Sequence, residues 1–125
     1  MKKIFFVLAI TTACLSAKSQ LANHKFEGSI QMDNQPTDII LDFKKDTVNA
    51  IIKANGEILE TMLYTERKGV VTFQKVSGRS ECGPDIVGKY KFEQKSGDIT
   101  LAVTEDICGD RANVLDKSTW KKQAK

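Results

Sequence analysis

Three cysteines, one histidine and sixteen acids are the side chains with chemistry to offer in this 125-residue chain. His24 stands alone before the first apolar-patterned segment, a position that suits a solvated histidine better than a catalytic one. No Cys/His cluster has the spacing of a zinc site. The acids of "TEDICGD" lack the D-x-D-x-D-G pattern of a calcium loop. No G-x-S-x-G elbow and no phosphate-gripping glycine loop occurs, and nothing singles out two of the sixteen acids as a general acid and base. The residue types therefore point away from an enzyme and imply neither metal nor cofactor. What remains is "TEDICGDR", where Cys108 and Arg111 sit among three acids.

The role of that cysteine depends on the compartment. The chain opens with Lys2-Lys3, the apolar run "IFFVLAITTACL" and the small residues of "SAKS". A charged start, a short apolar centre and a small-residue exit describe a secretory signal peptide over residues 1–19, with Gln20 as the mature N-terminus. The run falls short of the roughly 18 apolar residues a membrane helix needs, so no transmembrane segment is expected in the mature chain. Cys14 raises lipoprotein anchoring as a lesser alternative. Thr11 stands where a lipobox usually has Leu, and the cysteine is better read as discarded with the signal. The expected location is exported, periplasmic or secreted.

Cleavage removes Lys2, Lys3 and Lys18 but no acid, so the 19 basic residues fall to 16 against 16 acidic ones. The +3 charge of the full chain is then a property of the leader, and nucleic acid is excluded as a partner. The same cleavage leaves Cys82 and Cys108, and an even pair in an exported protein reads as one disulfide.

These residues must be positioned by strands. From Gln20 onward the chain repeats one texture, six to nine residues alternating apolar and polar and then a turn. "KFEGSIQM" places Phe26, Gly28, Ile30 and Met32 on one face, and "DNQP" breaks it. "DIILDFK" brings Ile39, Leu41 and Phe43 together; "TVNAIIKA" does the same for Val48, Ala50, Ile52 and Ala54. Asn55-Gly56 follows, the strongest signal for a two-residue type I′ hairpin. "EILETMLYTE" could be a short helix, but its flanking turns favour a strand with Ile58, Met62 and Tyr64 facing one way and Leu59 and Leu63 the other. "VVTFQKV", "GKYKFEQ" and "ITLAVTE" are clear strands. "GDRANVLDKS" predicts one or two helical turns, and a last strand is expected around Trp120.

Tight connections throughout imply antiparallel neighbours, and an open meander of eight strands would leave two bare edges. The expected fold is all-β, an antiparallel up-and-down β-barrel of about eight strands over residues 20–125, with a short C-terminal helix. A two-layer sandwich is the alternative.

A turn at residues 96 and 97 pairs position i with position 193 − i, which sets Cys108 opposite Asp85. The loop "CGPD" can bend Cys82 across those three residues, so a Cys82–Cys108 bond is expected to staple the open end of this hairpin. Closing 26 residues would add on the order of 3 kcal/mol by the chain-entropy model.

The stretch "SECGPDIVGKYKFEQKSGDITLAVTEDICGDRANVLDKSTWKK" resembles the C-terminal part of bacterial lipocalin-like proteins. Cys82 precedes a G-x-Y strand with Gly88 and Tyr90, Asp98 and Leu101 stand in the next strand, and D-x-C-x-x-R (Asp106, Cys108, Arg111) leads to Trp120. Where that group often opens on a tryptophan-containing strand, this chain has Phe26 and Gly28. The resemblance implies a calycin-type barrel in which Arg111 covers one end. The guanidinium is expected to stack on Phe26 or Trp120 and to pair with Asp106 or Asp110, making Phe26, Asp106, Arg111 and Trp120 a structural closure.

Two functions follow as expectations. In the first, the barrel holds a small hydrophobic molecule against inward residues of mixed size, among them Met32, Leu41, Phe43, Ile52, Met62, Phe73, Tyr90 and Phe92, with Tyr90 able to supply a polar group. In the second, side chains fill the barrel and the protein is a non-enzymatic interaction or inhibitor protein acting through its surface loops, "SGRSECGPD" being the longest. An apolar void would favour the first reading.

Overall fold

The computed structural model describes residues 19–124; the expected leader, apart from Ser19, and Cys14 within it lie outside the described residues. Eight strands run in chain order: β1 (Lys25–Met32), β2 (Gln35–Phe43), β3 (Thr47–Ile52), β4 (Ile58–Arg67), β5 (Val70–Gly78), β6 (Val87–Lys95), β7 (Asp98–Glu105) and β8 (Ser118–Lys122). One helix, α1 (Gly109–Leu115), lies between β7 and β8. Each strand pairs antiparallel with the next, and β1 pairs with β8 through Phe26 with Lys122 and Glu27 with Lys121. The sheet is a closed up-and-down barrel, which removes both bare edges.

Local chemistry explains the turns. Asp33-Asn34, Lys68-Gly69 and Ser96-Gly97 each have two consecutive positive φ angles, the geometry a two-residue turn needs to match strand twist. The break expected over "DNQP" thus shrinks to Asp33-Asn34. Pro36 is inside β2 before the pairing with β3 begins at Ile39, so its missing N–H costs that ladder nothing. At Asn55-Gly56 the expected two-residue turn does not form. Only Gly56 has positive φ, +74°, because the Asn55 side chain accepts the Glu57 N–H at 2.9 Å and holds a longer loop closed by Gly56 N–H to Ile52 O, 2.8 Å.

Strand β4 also departs from simple alternation. Its pairing with β3 shifts between Ala50 and Ile51, leaving Leu59 as the extra residue, and its pairing with β5 shifts between Thr61 and Met62. A bulge moves the side-chain parity by one. Leu59, expected to face outward with Leu63, is therefore buried alongside Met62 and Tyr64. Ile58, expected to face inward, is 54% exposed.

The end of the barrel away from α1 is solid. Phe43 meets Phe26 and Tyr64 edge-on at 5.8 and 4.9 Å between ring centroids, and Phe73 links Phe43 to Tyr90 at 6.5 and 5.6 Å. Edge-on pairs of this kind contribute about 0.5–1.5 kcal/mol each beyond their burial. Leu21, fully buried, belongs to this core; the segment carrying it is tied down by Asn23 N–H to Phe43 O, 2.9 Å, and by Gln20 N–H to Glu66, 2.8 Å. His24 is half-buried rather than solvated, and its carbonyl accepts the Phe43 N–H.

Candidate binding cavity

Toward α1 the inward side chains, Trp120 apart, change from aromatic rings to aliphatic ones, and the barrel is hollow. A cavity of about 500 Å³ has Ile30, Met32, Ile39, Leu41, Ala50, Leu59, Met62 and Trp120 around its walls, while Val114 and Leu115 of α1 border it from the helix. Asp33, Glu60, Arg79, Ser80, Asp110, Arg111 and Asn113 form its polar border.

Two segments cover this end, α1 and the loop 79–86, and Cys82–Cys108 joins them with Cα atoms 5.6 Å apart. The expected pairing is the one the structure has. The hairpin register is also the expected one from Tyr90↔Val103 to Lys95↔Asp98, with a one-residue shift between Lys89 and Tyr90. Loop 79–86 is pinned on its other side by Arg79 N–H to Leu59 O, 3.0 Å, by Ser80 Oγ–H to Glu60 Oε1, 2.6 Å, and by Gln74 Nε2–H to Pro84 O, 2.8 Å. Helix α1 is anchored at its far end. Asp116 accepts the Val103 N–H at 2.9 Å, and Ser118 Oγ accepts from Trp120 Nε1–H at 2.8 Å while donating to Leu115 O.

Beneath this cover lies a buried ion pair. Arg111 donates from Nε to Asp106 Oδ2 at 2.7 Å and from Nη2 to Asp106 Oδ1 at 2.9 Å, and its Nη2 also reaches Ile86 O at 3.1 Å. The Asp106 carboxylate is fully buried and takes two more donors, the Tyr90 hydroxyl and the Cys108 N–H. Gly88 makes room for it, since a Cβ there would overlap the carboxylate. Burial alone would raise the Asp106 pKa, but the hydrogen bonds from Arg111, Tyr90 and Cys108 outweigh it and hold it below the ordinary value. Tyr90 is raised first by burial and then by its bond to Asp106. An arrangement of this kind ties α1 to β6 and β7.

The expected closure is thus two devices. Asp106 and Arg111 hold the covered end, whereas Phe26 and Trp120 are buried at the β8 seam. Arg111 pairs with Asp106 and not with Asp110, whose Oδ2 accepts the Glu81 N–H at 3.3 Å. Among the described residues Arg111 stacks on neither Phe26 nor Trp120; its donors go to Asp106 and Ile86 O.

The residues expected to line a cavity divide in the same way. Met32, Leu41 and Met62 border it. Phe43, Phe73 and Tyr90 belong to the aromatic packing, Ile52 packs against the core without bordering the void, and Phe92 is near Gln20 and Glu66 at the opposite end. The Tyr90 hydroxyl is spent on Asp106 rather than offered to a ligand. Leu59 was hidden from pattern reading by the β4 bulge, Glu60 carried no apolar signal, and the covering role of α1 had one signal, a cysteine just before a short amphipathic helix. A second hollow, of about 690 Å³, lies at the rim of the other end, outside the aromatic packing; it is bordered by Gln20, Glu66, Arg67, Lys68, Glu93 and Lys95, with Phe92 as its one large apolar side chain, a polar setting unlike the apolar walls of the first.

A scan against protein-family models matches none, and searches of curated proteins and of solved structures likewise return no match.

Proposed function

We propose that the protein is an exported, lipocalin-like, non-catalytic carrier that holds a small hydrophobic molecule in the cavity beneath α1. The observation that carries this reading is the void itself. About 500 Å³ of mostly apolar space with a polar border falls within the roughly 300–1,000 Å³ of small-molecule sites. A barrel made only to present loops would have its interior filled by side chains, as the opposite half of this one is. The disulfide is compatible with an exported location, and no described helix is long and apolar enough to cross a membrane.

Titration with the neutral fluorophore N-phenyl-1-naphthylamine tests the reading. Saturable binding is expected, and Ala50→Leu, which adds bulk at a cavity wall without displacing a packed ring, should abolish it while leaving the fold intact. Absence of saturable binding would move the weight to the interaction-protein reading.

A further inference from the structure

Because the strands alternate in direction, every second connection gathers at one end. Residues 33–34, 53–60, 78–87 and 105–117 surround the cavity's end and carry nine acidic side chains against four basic ones. At the solid end, residues 19–25, 44–47, 66–69, 93–98 and 121–124 carry eight basic against four acidic. The barrel is therefore polarised along its axis, with the negative pole at the cavity.

The imbalance is sharper at the border itself. Its two cations are already held by carboxylates outside it, Arg79 by Glu57 and Arg111 by Asp106. Of its three carboxylates, Glu60 has Lys75 Nζ at 3.9 Å, whereas Asp33 and Asp110 have no cation within ion-pair distance among the described residues. The Glu81 N–H on Asp110 leaves that charge uncompensated.

Resting on the carrier reading and deepening it, we propose that the cavity takes an amphiphile with a cationic head and discriminates against one with an anionic head. An apolar tail occupies the aliphatic floor, and the head emerges beside Asp33 and Asp110 into a field of the same sign from the whole end of the barrel. A carboxylate head meets repulsion there; an ammonium head meets attraction. Both aspartates are exposed, so the preference must weaken as salt screens it.

The test is displacement of N-phenyl-1-naphthylamine from the oxidised protein by dodecyltrimethylammonium, dodecyl maltoside and dodecanoate, all below micelle-forming concentrations. At about 0.01 M ionic strength, where the screening length is about 30 Å, the trimethylammonium compound should displace the probe at a concentration on the order of tenfold lower than dodecanoate. In about 1 M salt, with screening near 3 Å, the two should converge. The double variant Asp33→Asn/Asp110→Asn should shrink the low-salt ratio by about threefold or more, since asparagine tolerates the positive φ of residue 33 and can still accept the Glu81 N–H. Displacement by dodecanoate at equal or lower concentration in low salt would overturn the head-group inference and leave the carrier standing. Failure of the neutral probe to bind would overturn both.

Discussion

The six-membered ring of Trp120 lies so close over Gly28 that a Cβ on that residue would stand 2.7 Å from Trp120 Cε3. Trp120 both closes the β8 seam and forms a wall of the cavity, so this contact ties barrel closure to the shape of the void. Gly28→Ala should push the indole away from its bond to Ser118 and destabilise the protein by about 1–3 kcal/mol, the usual cost of overpacking. Urea denaturation followed by Trp120 emission measures it; an unchanged midpoint would show that the ring has room to move.

Asp106 and Arg111 should be worth more to each other than either is to solvent. Removing one partner leaves a buried charge, so Asp106→Asn and Arg111→Ala are each expected to cost about 3–5 kcal/mol. The double variant should cost clearly less than their sum. Additive losses in chemical denaturation would contradict a coupled pair.

The same pair gives a pH dependence of known sign. The Asp106 pKa is depressed in the folded state below its ordinary 3.8, so the unfolded chain binds the proton first. The stabilisation is then present above pH 3.8 and is lost as pH falls through the lower folded value. Stability measured from pH 6 down to pH 2, roughly, should fall less steeply in Asp106→Asn than in the parent. Parallel curves would place the acid sensitivity elsewhere.

The bulge in β4 separates two adjacent side chains. Leu59→Ala should cost about 2–4 kcal/mol and Ile58→Ala about 0.5 or less, although simple alternation gives the opposite order. Equal losses would argue that the bulge does not hold in solution.

This pair also marks how far the sequence could be read. Strand positions, closure, the β6–β7 register and the cysteine pairing were legible because alternation, Gly-containing turns and a two-residue hairpin are local signals with strict geometry. Bulges were not, since one inserted residue leaves composition unchanged while inverting a face. The Asn55-Gly56 turn misled because a side-chain bond to Glu57 competes with the type I′ geometry. Arg111 was recognised as a structural cation, yet its partner depended on the space at Gly88, which no pattern of side chains reports. The hollow half of the barrel was illegible for a different reason. Aliphatic and aromatic inward residues look alike as apolar positions, and only their three-dimensional sum shows where volume is missing.

Cys82–Cys108 binds the two covering segments to each other. The double variant Cys82→Ser/Cys108→Ser should lose on the order of 3 kcal/mol of stability. It should also hold N-phenyl-1-naphthylamine more weakly than the parent under conditions where both remain folded. Undiminished affinity would mean that the staple serves folding alone.

The most direct test of a ligand site beneath α1 uses Trp120, the only tryptophan in the chain and a wall of the cavity. On titration with N-phenyl-1-naphthylamine, its emission should fall as the bound probe's emission rises by energy transfer. Both changes should saturate at one probe per protein, and both should vanish in Ala50→Leu. Trp120 emission that stays constant while probe is added, or energy transfer that survives in Ala50→Leu, would contradict the account.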